Sequence, residues 1–355
     1  MNASFEVIRK TFDEVTPEEV ADWQGLIATY PEHQRAFLSP CFFAAAQRSF
    51  GTVVVIFLKQ RASVLGVLGL MCRRSFDGLF GVYEPVGGVM TDYFGLTAVP
   101  GLKISVTDVL SRARIGCVVF SHLDETQSAH GLSGANPRIG LRTRLHGSGG
   151  DYWESLRGID KKLVNDTERR ERKLQTEHGE IFFEFQSTKP DFDLAELIQM
   201  KKAQYARTGK FGAPLFDEAN VKLLRDLLHS KDPQCHATLS VLRVNGRLVA
   251  AHFGLRCMET LHFWFPVYEP AFSSYSPGRI LYRHVMEAAS SCGITLLDRG
   301  EGDTKAKRDF ANDEHLFYMG VWYTGFRGLI GRLALATSWR VQAWRGISWQ
   351  KKDVG

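Results

Sequence analysis

AAHFGLRCMETLHFWFPVYEPAFSSYSPGRILYRHVMEAASSCGITLLDRGEGDTKAKRDFAN, residues 250–312, is the part of the chain that sets its architecture. Its first third is apolar and aromatic and predicts a strand pair. Ser276-Pro277-Gly278 then opens a helix over residues 277–291, with serine as the cap and proline at the first helical position. Residues 294–297 predict a further strand, which ends in the polar run Asp298-Arg299-Gly300-Glu301-Gly302-Asp303. Strand, helix N-terminus, strand and glycine loop, in that order, suit a site for an extended anionic ligand.

Upstream of this stretch, residues 238–244 and 247–255 predict strands joined by Asn245-Gly246, the strongest hairpin signal in the chain. Residues 261–267 predict the next strand. Residues 152–178 predict one helix, with Trp153, Leu156, Ile159 and Leu163 inward and Lys161, Lys162, Arg169, Arg170, Arg172 and Lys173 outward. That basic surface is either a solvated face laced with Asp166, Glu168 and Glu171 or an electropositive wall beside a phosphate-bearing substrate or RNA. Residues 181–186 predict a strand, 194–207 and 217–229 helices, 208–212 a loop, and 317–323 a strand that closes the sheet.

The first 150 residues repeat the theme. A strand over 5–11 precedes a helix capped by Thr16 with Pro17, and Ser39-Pro40 opens a second helix. Residues 52–59 and 64–71 predict a hairpin, 102–113 a helix and 116–123 a strand. Residues 124–150 predict only connecting, strand-like structure. The two halves share an order of elements rather than a sequence, which predicts two α/β domains, residues 1–150 and 151–325, followed by a basic helical tail over 326–355.

The 44 basic and 39 acidic residues leave a net charge of +5, enough for an acidic ligand or work beside a membrane without demanding DNA. The six cysteines are scattered and show no metal-ligand spacing, so no metal is expected. No apolar signal-peptide core and no run of 18 apolar residues occurs, so a cytoplasmic protein is expected. The sequence sets no oligomeric state.

Three groups of residues carry possible chemistry. At Ser276, Pro277, Gly278 and Arg279, helix N–H groups and added charge favour phosphate; the plainer alternative is a well-made helix start. Asp298, Gly300, Gly302, Asp303 and Lys307 combine a carboxylate with close backbone approach and a cation, or else form a surface turn. His252, between small residues in a strand, is a general base or a hydrogen-bonded core histidine, and is placed ahead of Asp298 as the base.

Ala251-His252, Tyr268-Glu269-Pro270, Ser276-Pro277-Gly278, the run from Asp298 to Asp303 and Lys307 together resemble the second domain of GNAT-type acyltransferases of the FemAB and CelD-like group. The likeness covers residues 150–325 well and the first half by element order only. It implies tandem GNAT-like domains, each a mixed, largely antiparallel sheet flanked by helices. It implies acyl transfer from acetyl-CoA or a longer acyl-CoA to an amino sugar or a lipid-linked saccharide precursor, in surface polysaccharide synthesis. Phe265 and Val267 would lie along the pantetheine arm, Ser276–Arg279 at the pyrophosphate, and Tyr268, Arg170 and the glycine run with Lys307 at the acceptor. Aminoacyl-tRNA-dependent peptidoglycan transfer and a non-catalytic regulatory role are the competing expectations. Of the fuller Gln/Arg-x-x-Gly-x-Gly/Ala pattern of simple GNAT enzymes only Gly278 stands here, and Ala306 replaces the tyrosine that precedes the lysine in relatives. Residues 326–349 predict either an interfacial helix at the inner membrane face or a helix packed on the second domain.

Overall fold

The computed structural model describes residues 5–209 and 213–344. Part of the expected loop at 208–212 and the last residues of the expected tail helix lie outside them. The chain divides into two compact units, Met1–Gly140 with His315–Gly355, and Leu141–Glu314.

The first unit runs β1 (Glu6–Thr11), α1 (Pro17–Thr29), α2 (Pro40–Phe50), β2 (Val53–Gln60), β3 (Ser63–Cys72), β4 (Val82–Pro85), β5 (Leu96–Ala98), α3 (Val106–Arg112) and β6 (Cys117–Asp124). β7 (Ala135–Arg144) leads into the second unit. There follow α4 (Gly149–Ile159), α5 (Lys161–His178), β8 (Ile181–Glu184), α6 (Pro190–Arg207), α7 (Glu218–Leu228), β9 (Lys231–Asp232), β10 (Cys235–Val244), β11 (Arg247–Cys257), β12 (Thr260–Tyr268), α8 (Pro277–Ser291), β13 (Leu296–Glu301) and α9 (Lys305–Arg308). β14 (Asp313–Tyr323) and α10 (Gly325–Trp344) return to the first unit.

Each unit is the mixed α/β structure expected, a largely antiparallel sheet flanked by helices. In the first, β1, β2, β3, β4, β6 and β14 lie side by side, with β4 parallel to β6. In the second the order is β13, β12, β11, β10, β8, with β12 parallel to β13. Local chemistry explains most boundaries. Thr16 accepts from the Glu19 N–H while the Glu19 carboxylate accepts from the Thr16 N–H, a reciprocal cap on α1. The Ser39 hydroxyl accepts the Phe42 N–H at 3.1 Å and starts α2. Asn245 and Gly246, both with positive φ (47° and 76°), turn β10 into β11 as an Asn-Gly pair does in a tight hairpin. Phe43 packs against Gly69, where a Cβ would lie 1.7 Å from the ring.

Three expectations change. The helix expected over 152–178 is two helices, because the Asp160 carboxylate accepts the Leu163 N–H at 2.9 Å and so ends α4 and caps α5. The short strand expected at 294–297 is β13, which runs on to Glu301, so four of the six residues from Asp298 to Asp303 are strand rather than loop. The tail helix packs within the first unit rather than on the second.

Candidate active site

β12 and β13 are paired from Thr260↔Leu296 to His262↔Asp298, and their ladder ends there while β12 continues to Tyr268. On its other side β12 stays with β11, through a register shift between Phe253 and Leu255. The strands therefore part beyond His262 and Asp298, along the second half of β12. A cavity of about 360 Å³ lies against the parted stretch. Phe263, Pro266, Val267 and Tyr268 of β12 line it, with Ser276 and the first turn of α8, Pro277 to Arg279. Leu281 and Tyr282 of α8, Lys201 and Gln204 of α6, Arg299 of β13, and Asp309 and Phe310 complete much of the wall.

Of the residues expected at the donor, Val267, Ser276, Pro277, Gly278 and Arg279 share one cavity, and Tyr268, expected at the acceptor, lines it too. Arg299, Tyr282, Lys201 and Phe310 were not among those expectations. The Arg299 guanidinium sits 4.4 Å over the Tyr282 ring and donates to the carbonyls of Ala306 (2.8 Å) and Lys307 (3.2 Å). Burial pulls its pKa down, and its Nε has no hydrogen-bond partner among the described residues. The Tyr282 hydroxyl bonds Thr143 at 2.8 Å, and burial raises its pKa. The Lys201 ammonium donates to the Pro266 carbonyl at 2.8 Å, tying α6 to the parted strand. Three cations, Lys201, Arg279 and Arg299, face one carboxylate, Asp309, in this wall. That balance favours an anionic occupant.

Other expected residues stand elsewhere, each for a physical reason. His252 is fully buried behind the wall, its ring stacked on Phe263 (centroids 3.7 Å apart, planes 8° apart) and laid over Gly254, where a Cβ would be 2.5 Å from its Nε2. Burial, helped by His262 and Arg299, holds its pKa well below the usual imidazole range, so it is neutral. Asp298 is also fully enclosed, with Arg142 at 3.4 Å, His262 at 3.7 Å and the Gly300 N–H donated at 2.8 Å. Neither lines the cavity; both lie behind its wall. Phe265, across from Phe253 in the β11–β12 ladder, is buried and off the wall.

Ser276 does not cap α8: it is left-handed (φ 53°), and its carbonyl, not its hydroxyl, takes the first helical N–H groups, from Arg279 and Ile280. Arg170 bonds Asp166 and the Ser274 carbonyl and so braces the loop before α8 rather than lining the cavity. The basic face of α5 is laced as well, Arg169 with Asp166 and Lys173 with Glu177. Gly300 and Gly302 have positive φ (61° and 128°), and the Lys307 ammonium folds back on the Glu301 carbonyl at 2.5 Å. Asp303 pairs with Arg308, which holds its carboxyl below the usual range.

Asp303 lines a second cavity, of about 640 Å³, together with Asp151, Asp160, Lys305, Arg308 and Asn312. Asp309 lines both cavities. Its side chain is 3.9 Å from Arg279 and 2.9 Å from Lys305. Among the described residues no group of three or more His, Cys, Asp or Glu is arranged to hold a metal ion.

Residues 161–308 match the family model of the acetyltransferase (GNAT) domain. The match runs from the start of α5 to the end of α9 and so contains the parted strands and nearly all of the cavity wall. By this match residues 161–308, within the second unit, are those of a GNAT-type acyltransferase domain. No curated protein matches the chain. Among solved structures it is similar to FemX, at 10% identity over 88% of this chain and 97% of that one, with a TM-score of 0.60. It is likewise similar to a conserved protein of unknown function from Bacteroides thetaiotaomicron, at 12% identity over 88% and 99%, with a TM-score of 0.52. These two likenesses are of fold.

Proposed function

We propose that the second unit transfers an acyl group from acetyl-CoA or a longer acyl-CoA to the amine of an amino sugar or saccharide precursor, as in surface polysaccharide assembly. The observation that carries this reading is the cavity at the point where β12 leaves β13, closed by the first turn of α8 and lined by three cations against one carboxylate. Acyl-CoA would supply the thioester carbonyl. Gly278, Arg279 and Lys201 would hold its phosphates, and Val267 and Tyr268 would flank its arm. Backbone N–H groups of β12 beyond His262 are released from the β13 ladder and are the natural donors to a developing oxyanion.

The acceptor would enter by the second cavity, whose carboxylates favour an ammonium. Asp309 faces both cavities and is the carboxylate placed to take the amine's proton. His252 and Asp298 are positioning residues: the imidazole backs Phe263, and the carboxylate fixes Arg142 and the Gly300 N–H. The test is calorimetric titration of the purified protein with acetyl-CoA and longer acyl-CoAs, followed by assay with amino-sugar acceptors. Absence of binding by every acyl-CoA would end this reading and move the donor to a carrier protein or an aminoacyl-tRNA.

A further inference from the structure

α10 is built inside out. The residues it turns toward the first unit are Gly328, Gly331, Ala334 and Leu335. A Cβ on Gly328 would lie 2.2 Å from the Gly116 carbonyl, and one on Gly331 2.9 Å from the Cys117 Cβ. Small residues thus let the helix backbone close on β6. Four large apolar residues, Phe326, Leu329, Ile330 and Leu333, follow at helical spacing on the outside. A surface helix whose only task is to cover a core points such residues the other way.

This outer stripe has a neighbour. The single turn Phe76–Phe80 adjoins α10, since the Gly331 Cβ position is 3.5 Å from the Phe80 carbonyl. That turn exposes Phe76, Leu79 and Phe80. The seven side chains range from 36% exposed (Ile330) to 84% (Leu79), in two adjoining runs rather than scattered singly. Along the sequence of the tail the charge has one sign. From His315 to Lys352 the sequence holds no Asp or Glu but carries Arg327, Arg332, Arg340, Arg345, Lys351 and Lys352. Arg327 and Arg332 flank the stripe in exposed positions, and Arg332 donates to the Tyr323 hydroxyl at 2.6 Å. Arg74 is exposed just before the apolar turn. Within that turn Asp77 is fully buried beside Arg73, 3.3 Å away.

We infer that this face, α10 with the turn Phe76–Phe80, docks the protein on the surface of a bilayer that carries anionic phospholipids. No described helix is long and apolar enough to cross a membrane, so α10 would lie along the interface with its apolar stripe among the acyl chains and Arg327 and Arg332 at the headgroups. A second copy of the chain is the poorer occupant. A two-fold contact through this face would set its cations against the same cations, whereas anionic headgroups neutralise them.

The experiment is flotation of the full chain with extruded vesicles of phosphatidylcholine alone and with about 30% phosphatidylglycerol. Leu329→Glu/Leu333→Glu and Arg327→Gln/Arg332→Gln are compared with the unaltered chain, and all four positions are exposed, so thermal melts should match. The chain is expected to float with the anionic vesicles and about tenfold less with the neutral ones. Either double substitution should lower partitioning at least about tenfold. Failure to float with anionic vesicles, or equal partitioning onto both kinds, would overturn the inference. So would a dimer in sedimentation that Leu329→Glu/Leu333→Glu dissociates without any effect on lipid binding.

Discussion

Gly278→Asp separates the cavity at α8 from every other location for the donor. Gly278 is the second residue of α8, lines the cavity, and has space for a side chain: a Cβ there would be 3.7 Å from the Tyr268 ring, an ordinary contact. A carboxylate in the first turn of a helix is favourable to the fold by a few tenths to about 1 kcal/mol. Toward a bound phosphate it is repulsive. Two unit charges about 5 Å apart at an effective dielectric constant of about 20 repel by roughly 3 kcal/mol, or about a hundredfold in Kd. Gly278→Ala supplies the added Cβ without the charge and should change Kd by less than about threefold. Calorimetry with acetyl-CoA reads the affinities, and a thermal melt of each variant confirms an unchanged or slightly raised Tm. If the unaltered chain binds acetyl-CoA and Gly278→Asp binds it as tightly, the phosphates are not at this helix and the reasoning is wrong.

Three other outcomes are expected. The Glu19 carboxylate is held at a pKa of about 2 by Lys10 and Lys59, against burial. Because its folded pKa is depressed, its contribution is present above the ordinary value of 4.5 and disappears as pH falls through about 2. Glu19→Gln should therefore cost about 2 kcal/mol near neutral pH in urea unfolding, with the difference shrinking in acid. His252, held neutral in the fold, takes up a proton only on unfolding, so stability should decline as pH drops below 6.5, by up to about 1.4 kcal/mol per pH unit. His252→Gln should flatten that slope while the pH profile of kcat/KM stays put; a shifted profile would return the imidazole to the reaction. Ser276 pays left-handed strain without making a cap, and Ser276→Gly should raise stability by about 0.5–1 kcal/mol. An unchanged or lower midpoint would show that the hydroxyl has a task there.

Much of the architecture was legible because it is written locally. Thr16 and Ser39 cap as their flanking residues say, Asn245-Gly246 turns a hairpin, and the buried strands β2, β3, β10 and β11 stand out as apolar runs. Asp160 was overlooked as a helix break because it sits in a continuous polar-apolar period, where only its side chain's bond to the Leu163 N–H marks the junction. At the site, the first turn of α8 could be read from Ser-Pro-Gly. Lys201 and Gln204 could not, since α6 reaches the cavity only through its packing on β12. Arg299 lies in the quoted stretch, but in a glycine-rich run it looks like surface charge; its place over Tyr282 depends on β13 continuing past Asp298. The polarity of His252 and Asp298 suggested chemistry, yet burial is set by what other elements lay over them.

The first unit is sewn from two distant lengths of chain. One side of β6 pairs with β4, made shortly before it, whereas the other side waits for β14, which ends with Phe317↔Asp124 and Tyr323↔Cys117 against it. Some 190 residues separate the strands, so at a synthesis rate of about 5–20 residues per second β6 shows a bare edge for roughly 10–40 s on the ribosome. The inserted second unit can fold during that pause. The nascent first unit meanwhile offers an unpaired hydrophobic strand to any passing chain, so the yield of this protein in cells should depend on holdase chaperones more than its final stability would suggest.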